Sequence, residues 1–207
     1  MEQNKQDVTA QAAQKTTQRR GRWKMMLVLA VCAAPMLASY LTYYVIKPGG
    51  RTNYGALIDP REHPIPQMNA RAMDGKPSSL DEYKGKWIML LSGPSNCQQE
   101  CKDRLYAMRQ LRLMQGKEME RVERVWLITD DQPLALDLMS ADEGTHLLRV
   151  SKSALSAWLP VEQGGDASQH MYLIDPLGNL MMRFPKDADP AKVKKDLGKL
   201  LKASSIG

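Results

Sequence analysis

The sequence predicts an α/β domain carried behind a single membrane-spanning helix, and three observations predict it. The run from Met25 to Ile46 is apolar and without charge over about 22 residues, close to the roughly 20 that a helix needs to cross a bilayer. Beyond Leu80, short runs rich in β-branched and aromatic residues alternate with segments of helical periodicity. Near the C-terminus, Asp175-Pro-Leu-Gly-Asn179 separates two apolar runs as a hairpin turn does.

The anchor comes first. Residues 1–24 hold Lys5, Lys15, Arg19, Arg20, Arg22 and Lys24 against Glu2 and Asp7, so positive charge is expected to keep this tail in the cytoplasm and send the C-terminal part outward. Trp23 at one end and Tyr40, Tyr43 and Tyr44 near the other fit an interfacial aromatic belt. A cleaved signal peptide has a shorter apolar region followed by a small-x-small site, and neither condition is met here. Leu29-Ala-Val-Cys32 hints at a lipid attachment site, but Val31 is bulky and the apolar run continues past Cys32, which reads as an inert small residue of the helix. The formal charge of +6 comes from 29 basic and 23 acidic residues. Most of the excess lies in the tail, leaving the exported part near balance, which excludes a nucleic-acid face.

Residues 47–79 carry Pro48, Pro60, Pro64, Pro66 and Pro77 among polar residues, and read as an extended linker leading into a domain over 80–207. Within it, Lys86–Leu91 is expected as a buried strand, Cys97 to about Met119 as a helix with Leu105, Met108, Leu111, Leu113 and Met114 as its apolar positions, and Val122–Thr129 as a second strand. Asp130-Asp131-Gln-Pro133 interrupts the chain. A short helix is expected over Leu134–Met139, a brief strand over Thr145–Val150 and a short helix over Lys152–Leu159, stopped by Pro160. His170–Ile174 and Leu180–Phe184 form the hairpin strands. Asp189 caps and Pro190 opens the last helix, whose buried stripe is Val193, Leu197, Leu200 and Leu201. Strand, helix, strand, helix, hairpin, helix is the order of a thioredoxin-like α/β domain.

The chemistry is concentrated in Cys97 and Cys101. Four residues apart at the start of a helix, both sulfurs lie on one face of a turn, where they can close a disulfide, exchange thiols with a partner or clasp one soft metal ion. A thiol at a helix N-terminus is acidified, and soft thiolates favour Cu(I). A purely structural bridge across so short a loop constrains the unfolded chain little. A single thiol pair outside the membrane is too few for a disulfide scaffold. Met181-Met182 reads as core filling, Asp130-Asp131 as a turn at the strand ends where α/β sites gather, and Gly164-Gly165 as a flexible loop without phosphate-binding spacing. No Ser-His-Asp arrangement, Walker motif or zinc spacing is present.

Gly85-Lys-Trp-Ile-Met-Leu-Leu91, Cys97-x-x-x-Cys101, Ile128-Thr-Asp-Asp131 and Met171-Tyr-Leu-Ile-Asp-Pro-Leu-Gly178 together resemble the Sco/SenC family, membrane-anchored thioredoxin-like proteins that assist copper delivery to cytochrome c oxidase. The likeness covers about residues 65–203, together with the anchor and its orientation. It implies an assembly factor in a bacterial cytoplasmic membrane, or the mitochondrial inner membrane, with its domain on the outer side. It implies Cu(I) as cargo, and as partner an oxidase subunit or another copper or thiol assembly factor. Cys97 and Cys101 are then the metal or redox pair, with His170 as the third copper donor. At the histidine the pattern departs: the family's usual ligand position falls on Ala167, and His170 lies three residues later, a shift that reverses strand parity. Lys102 stands where the family often has proline. His63 and His146 read as ordinary surface residues. Two rival readings stand beside copper delivery: a thiol-disulfide oxidoreductase in which one cysteine attacks and the other resolves, and a metal-free assembly scaffold.

Overall fold

The chain divides into two units, residues 1–51 and 52–207, and the computed structural model describes residues 2–46, 53–135, 138 and 144–206. In the first unit, helix α1 spans Glu2–Leu41 and widens into a π turn over Thr42–Ile46. Its stretch Arg22–Val45 is apolar enough to cross a membrane, and at 1.5 Å per residue its 24 residues span about 36 Å. Pro35 lies inside it, and the Thr42 hydroxyl donates to the Ala38 carbonyl at 2.7 Å.

The second unit is built on one eight-stranded sheet. Its strands are β1 (Ala56–Leu57), β2 (Ala70–Ala72), β3 (Pro77–Ser78), β4 (Trp87–Gly93), β5 (Val122–Ile128), β6 (His146–Arg149), β7 (Tyr172–Ile174) and β8 (Leu180–Arg183). Across the sheet their order is β1-β8-β7-β4-β5-β6-β2-β3. The middle three, β4, β5 and β6, are parallel; β7, β8 and β1 continue antiparallel on one side, β2 and β3 on the other. Among the described residues, helices α2 (Gln99–Leu113), α3 (Lys152–Trp158) and α4 (Pro190–Ala203) cover the faces.

Every residue of β4 is buried, as expected of a parallel strand covered on both faces. Alternation then sorts the side chains. Trp87, Met89 and Leu91 pack with Leu105, Met108 and Leu111 of α2 and Val193, Leu197 and Leu201 of α4, while Ile88 and Leu90 join Val125, Leu127, Leu155, Trp158 and Tyr172 on the α3 face. Each fully buried leucine of this kind costs about 2–5 kcal/mol when cut to alanine.

Several boundaries differ from the sequence expectation for local reasons. Helix α2 begins two residues after Cys97 and stops at Leu113; Gly116 takes φ +59, and a 3-10 turn over Gly116–Arg121 leads into β5. The Arg112 Nε–H donates to the Val122 carbonyl at 2.7 Å and fixes that junction. Residues 53–79, read as a linker, supply β1, β2 and β3 at both sheet edges. Half of the short helix expected over Leu134–Met139 lies outside the described residues. The hairpin turn is as anticipated: Asp175 Oδ1 accepts from the Leu177 and Asn179 amides, and Gly178 has φ +90. So is α4, whose cap Asp189 accepts from the Ala191 amide at 2.9 Å, with Pro190 in the first turn.

Candidate functional site

Strand β4 ends at Gly93, whose carbonyl takes the Thr129 amide at 3.0 Å. The loop that follows is held from across the sheet. The Ser95 amide donates to Asp130 Oδ2 at 3.0 Å, and Arg149 donates through Nη1 to the Asp130 carbonyl and through Nη2 to the Gln132 carbonyl at 2.8 Å. Burial pushes the Asp130 carboxyl up, but the hydrogen bonds from Ser95 and Gln132 and the nearby Arg149 charge outweigh it and leave the group below its ordinary value. Asp130 is thus a loop anchor, a role invisible to spacing because it depends on a contact 35 residues distant.

Cys97 precedes the helix and is 8% exposed; Cys101, at its third position, is half-buried. The two form a disulfide with Cα atoms 5.3 Å apart. They open onto a cleft of about 480 Å³ lined by Ser92, Gly93, Pro94, Arg104 and Ser168 among others. Arg104 was not anticipated, although its i, i+3 relation to Cys101 is the available signal. Its guanidinium lies 3.8 Å from Glu100 and brings positive charge beside the pair. Past Pro94 and Ser168 lies a second cavity of about 380 Å³, walled by Leu155, Leu159, Val161 and Ala167, with Lys152 and Asp166.

His170 is 1% exposed and forms no three-donor group with the cysteines among the described residues. A 3-10 turn over Ala167–Gln169, capped by Asp166 through the Ser168 amide at 2.8 Å, delivers the chain to His170 in an extended conformation (φ −114, ψ 147). Met171 then enters the core cluster that contains Cys97, so His170 takes the opposite face, its ring 6.2 Å from that of Tyr172. Its Nδ1 lies 2.9 Å from the Phe184 carbonyl, which only accepts, so the hydrogen is on Nδ1. Nε2 is left as a bare, buried acceptor with no hydrogen-bond partner. Ala167, at the family's usual ligand position, offers no donor atom and lines the second cavity.

No group of three or more His, Cys, Asp or Glu able to hold a metal is assembled among the described residues. Of the other candidates, His63 Nδ1 is 3.2 Å from the Trp158 carbonyl, and His146 Nε2 is 3.2 Å from Glu123 Oε2. Both are tied into structure. Met182 is fully buried in the core, and Met181 packs at its margin. What the site offers chemically is one dithiol–disulfide couple at a helix N-terminus, facing an open cleft.

The family described as a transmembrane-like, thioredoxin-like C-terminal domain matches residues 87–204, and a transmembrane-like N-terminal domain matches residues 15–45. No curated protein matches the chain. Among solved structures, yeast Sco1 superposes with a TM-score of 0.55 at 18% identity, covering 75% of this chain and 98% of that one. Yeast Sco1 with copper bound gives 0.53 at 20% identity, covering 73% and 90%. The thioredoxin domain of a thiol-disulfide oxidoreductase from Bacteroides vulgatus gives 0.50 at 14%, covering 67% and 95%. These similarities are of fold: the structural neighbours are thioredoxin-like proteins, Sco proteins prominent among them.

Proposed function

Because the chain belongs to the family of transmembrane-like proteins with a thioredoxin-like C-terminal domain, we propose that it is a membrane-anchored thiol–disulfide exchange protein of the Sco type, acting on a cysteine pair of a cytochrome c oxidase subunit during assembly. One observation carries this reading. Cys97 and Cys101 are already bridged beside an open cleft, and among the described residues no third donor completes a metal group with them. Exchange needs nothing more.

In the reduced protein Cys101, the more exposed residue and inside the first helical turn, is the attacking thiolate, favoured by the helix N-terminus and by Arg104. It attacks one sulfur of the partner's disulfide, and the other partner sulfur leaves as a thiolate and takes up a proton. Cys97 then gives up its proton and attacks the Cys101 sulfur of the mixed disulfide. The second partner thiolate departs, and the bridge seen here is closed. Two electrons pass to the partner, and an external thiol reductant reopens the pair.

Copper transfer is the second reading, favoured by the copper-bound Sco structures that share the fold. Two thiolates suit Cu(I) as cargo. The imidazole fits less well as placed: the bare Nε2 of His170 has the electron pair a ligand needs, but lies on the other face of the sheet. In this reading the loop at 164–169 rearranges to bring His170 across as third donor. The basic tail before the apolar span supports a domain held outside the cytoplasm, in a bacterial periplasm or its mitochondrial equivalent.

The test is a trap. In membranes from cells making the full chain as Cys97→Ser, exchange stops at the mixed disulfide, and mass spectrometry is expected to find an oxidase subunit joined through Cys101. Recovery of the same adduct from Cys101→Ser but not from Cys97→Ser reverses the two roles, and recovery from neither removes the exchange reading.

A further inference from the structure

The chain arriving from the anchor is received by the last helix of the domain. The Tyr54 and Gly55 amides donate to Asp196 Oδ2 at 2.5 and 3.1 Å, and Asp196 is 3% exposed. The Asp189 amide donates to the Tyr54 hydroxyl at 3.1 Å, and the Lys192 ammonium lies 5.2 Å over the Tyr54 ring. Asp189, Lys192 and Asp196 belong to α4 or its cap. The apolar span ends at Val45, so the intervening chain, fully extended, reaches only about 30 Å.

The outer side of α4 is basic. Val193, Leu197 and Leu201 face the core, while Lys192, Lys195, Lys199 and Lys202 recur along one exposed stripe at helical spacing. Four lysines of this helix, Lys194, Lys195, Lys199 and Lys202, join Lys117 around a groove of about 610 Å³. Glu118 is the one carboxylate among its lining residues; it lies 2.8 Å from Arg121 and 3.8 Å from Lys117. Lys199 also reaches Asp196 at 3.3 Å. On the rim, Met114 is 39% exposed, and its neighbour Leu113 is 48% exposed. A basic groove bordered by exposed apolar side chains, in a domain whose other charges nearly cancel, has the make-up of a membrane-surface contact.

We infer that the α4 groove docks on anionic lipid headgroups of the leaflet into which the protein's own anchor emerges. The lysines meet headgroup phosphates, and Met114 and Leu113 rest at the boundary with the acyl chains. The short tether raises the effective concentration of this surface for the groove far above that of any free partner, which favours lipid over a soluble acidic protein. The inference rests on the anchor and the charge pattern, and stands apart from the redox reading.

The experiment uses the full chain in nanodiscs, made either of phosphatidylcholine alone or with phosphatidylglycerol, and reads lysine acetylation by mass spectrometry. With phosphatidylglycerol, Lys117, Lys194, Lys195, Lys199 and Lys202 are expected to be protected about fivefold relative to phosphatidylcholine, the scale of one favourable lysine contact with an anionic surface. Lys76, 80% exposed and elsewhere on the domain, stays equally reactive in both. Salt at about 0.5 M removes the protection. In a Lys195→Gln, Lys199→Gln, Lys202→Gln variant, Lys117 and Lys194 lose most of theirs. Equal labelling in the two discs, or protection insensitive to salt, overturns the inference. Protection that appears only when poly-glutamate is added assigns the groove to an acidic protein and overturns it as well.

Discussion

Two places near the head of the domain hold chemistry, and they differ in what surrounds them. The Cys97–Cys101 corner is held by Asp130 and Arg149 but opens onto a cleft of about 480 Å³. The His170 corner, on the opposite face, is sealed: one ring nitrogen is engaged by the Phe184 carbonyl and the other is bare, at 1% exposure. A buried polar atom without a partner is ordinarily a cost of about 1–3 kcal/mol. The thiols have access without a third ligand, and the histidine has a free lone pair without access. Among the described residues the thiols and the imidazole form no single three-donor group, and the exchange reading rests on the open side of this contrast.

The largest effect that tests this contrast is on exchange itself. Cys101→Ser and Cys97→Ser are each expected to bring reduction of a partner disulfide to background, because the first loses the attack and the second the resolution. His170→Ala, on the sealed side, should stay within about twofold of the parent in kcat/KM, since no transition-state contact is removed. A collapse of exchange in His170→Ala with the fold intact breaks the comparison.

Copper sharpens it. If the loop at 164–169 moves to bring His170 to the thiols, His170→Ala loses on the order of 10- to 100-fold in Cu(I) affinity, while either cysteine variant abolishes binding. Equal affinity in parent and His170→Ala, measured by competition with a Cu(I) chelator, removes His170 from the ligand set. The two-thiolate pair then stands alone.

A third difference lies in stability. His170→Ala deletes a fully buried ring and strands the Phe184 carbonyl, which should cost about 2–3 kcal/mol in denaturant unfolding of the reduced protein. His170→Gln, which can still donate to that carbonyl, should recover part of the loss. A neutral alanine variant means that the sealed corner is looser than its packing indicates.

These contrasts divide cleanly by what sequence can carry. Strand β4, the hairpin turn at Asp175–Asn179 and α4 with its Asp189 cap were legible because each is set by local periodicity and turn chemistry. The thiol pair was legible because a four-residue spacing across the start of a helix is local too. His170 was visible as a residue but not as a position. Its side of the sheet depends on the 3-10 turn over Ala167–Gln169, a break in alternation that composition alone does not announce. Asp130 looked like a turn residue, and only the tertiary pairing of Ser95 with it reveals a loop anchor. The segment 53–79 looked unstructured because strands of two or three residues carry no periodicity.

The smallest effect concerns that anchor and its dependence on pH. Asp130 is held below its ordinary value in the folded protein, so the folded state favours the carboxylate. Its contribution is full above the unfolded pKa of about 3.9 and disappears as pH falls through the lower folded value. Asp130→Asn keeps an acceptor for the Ser95 amide but has no charge for Arg149 to meet. At pH 7 the variant is expected to be less stable by about 1 kcal/mol, a charge-assisted hydrogen bond discounted for partial exposure. Toward pH 3 the parent should lose stability faster than Asp130→Asn, until the difference closes. Because the loop at Ser95 leads directly into Cys97, the same variant should raise alkylation of the reduced thiols at pH 7, whereas Glu123→Gln, at a carboxylate remote from that loop, should not. A gap between parent and Asp130→Asn that widens on acidification reverses the sign of the linkage and removes Asp130 as the loop's anchor.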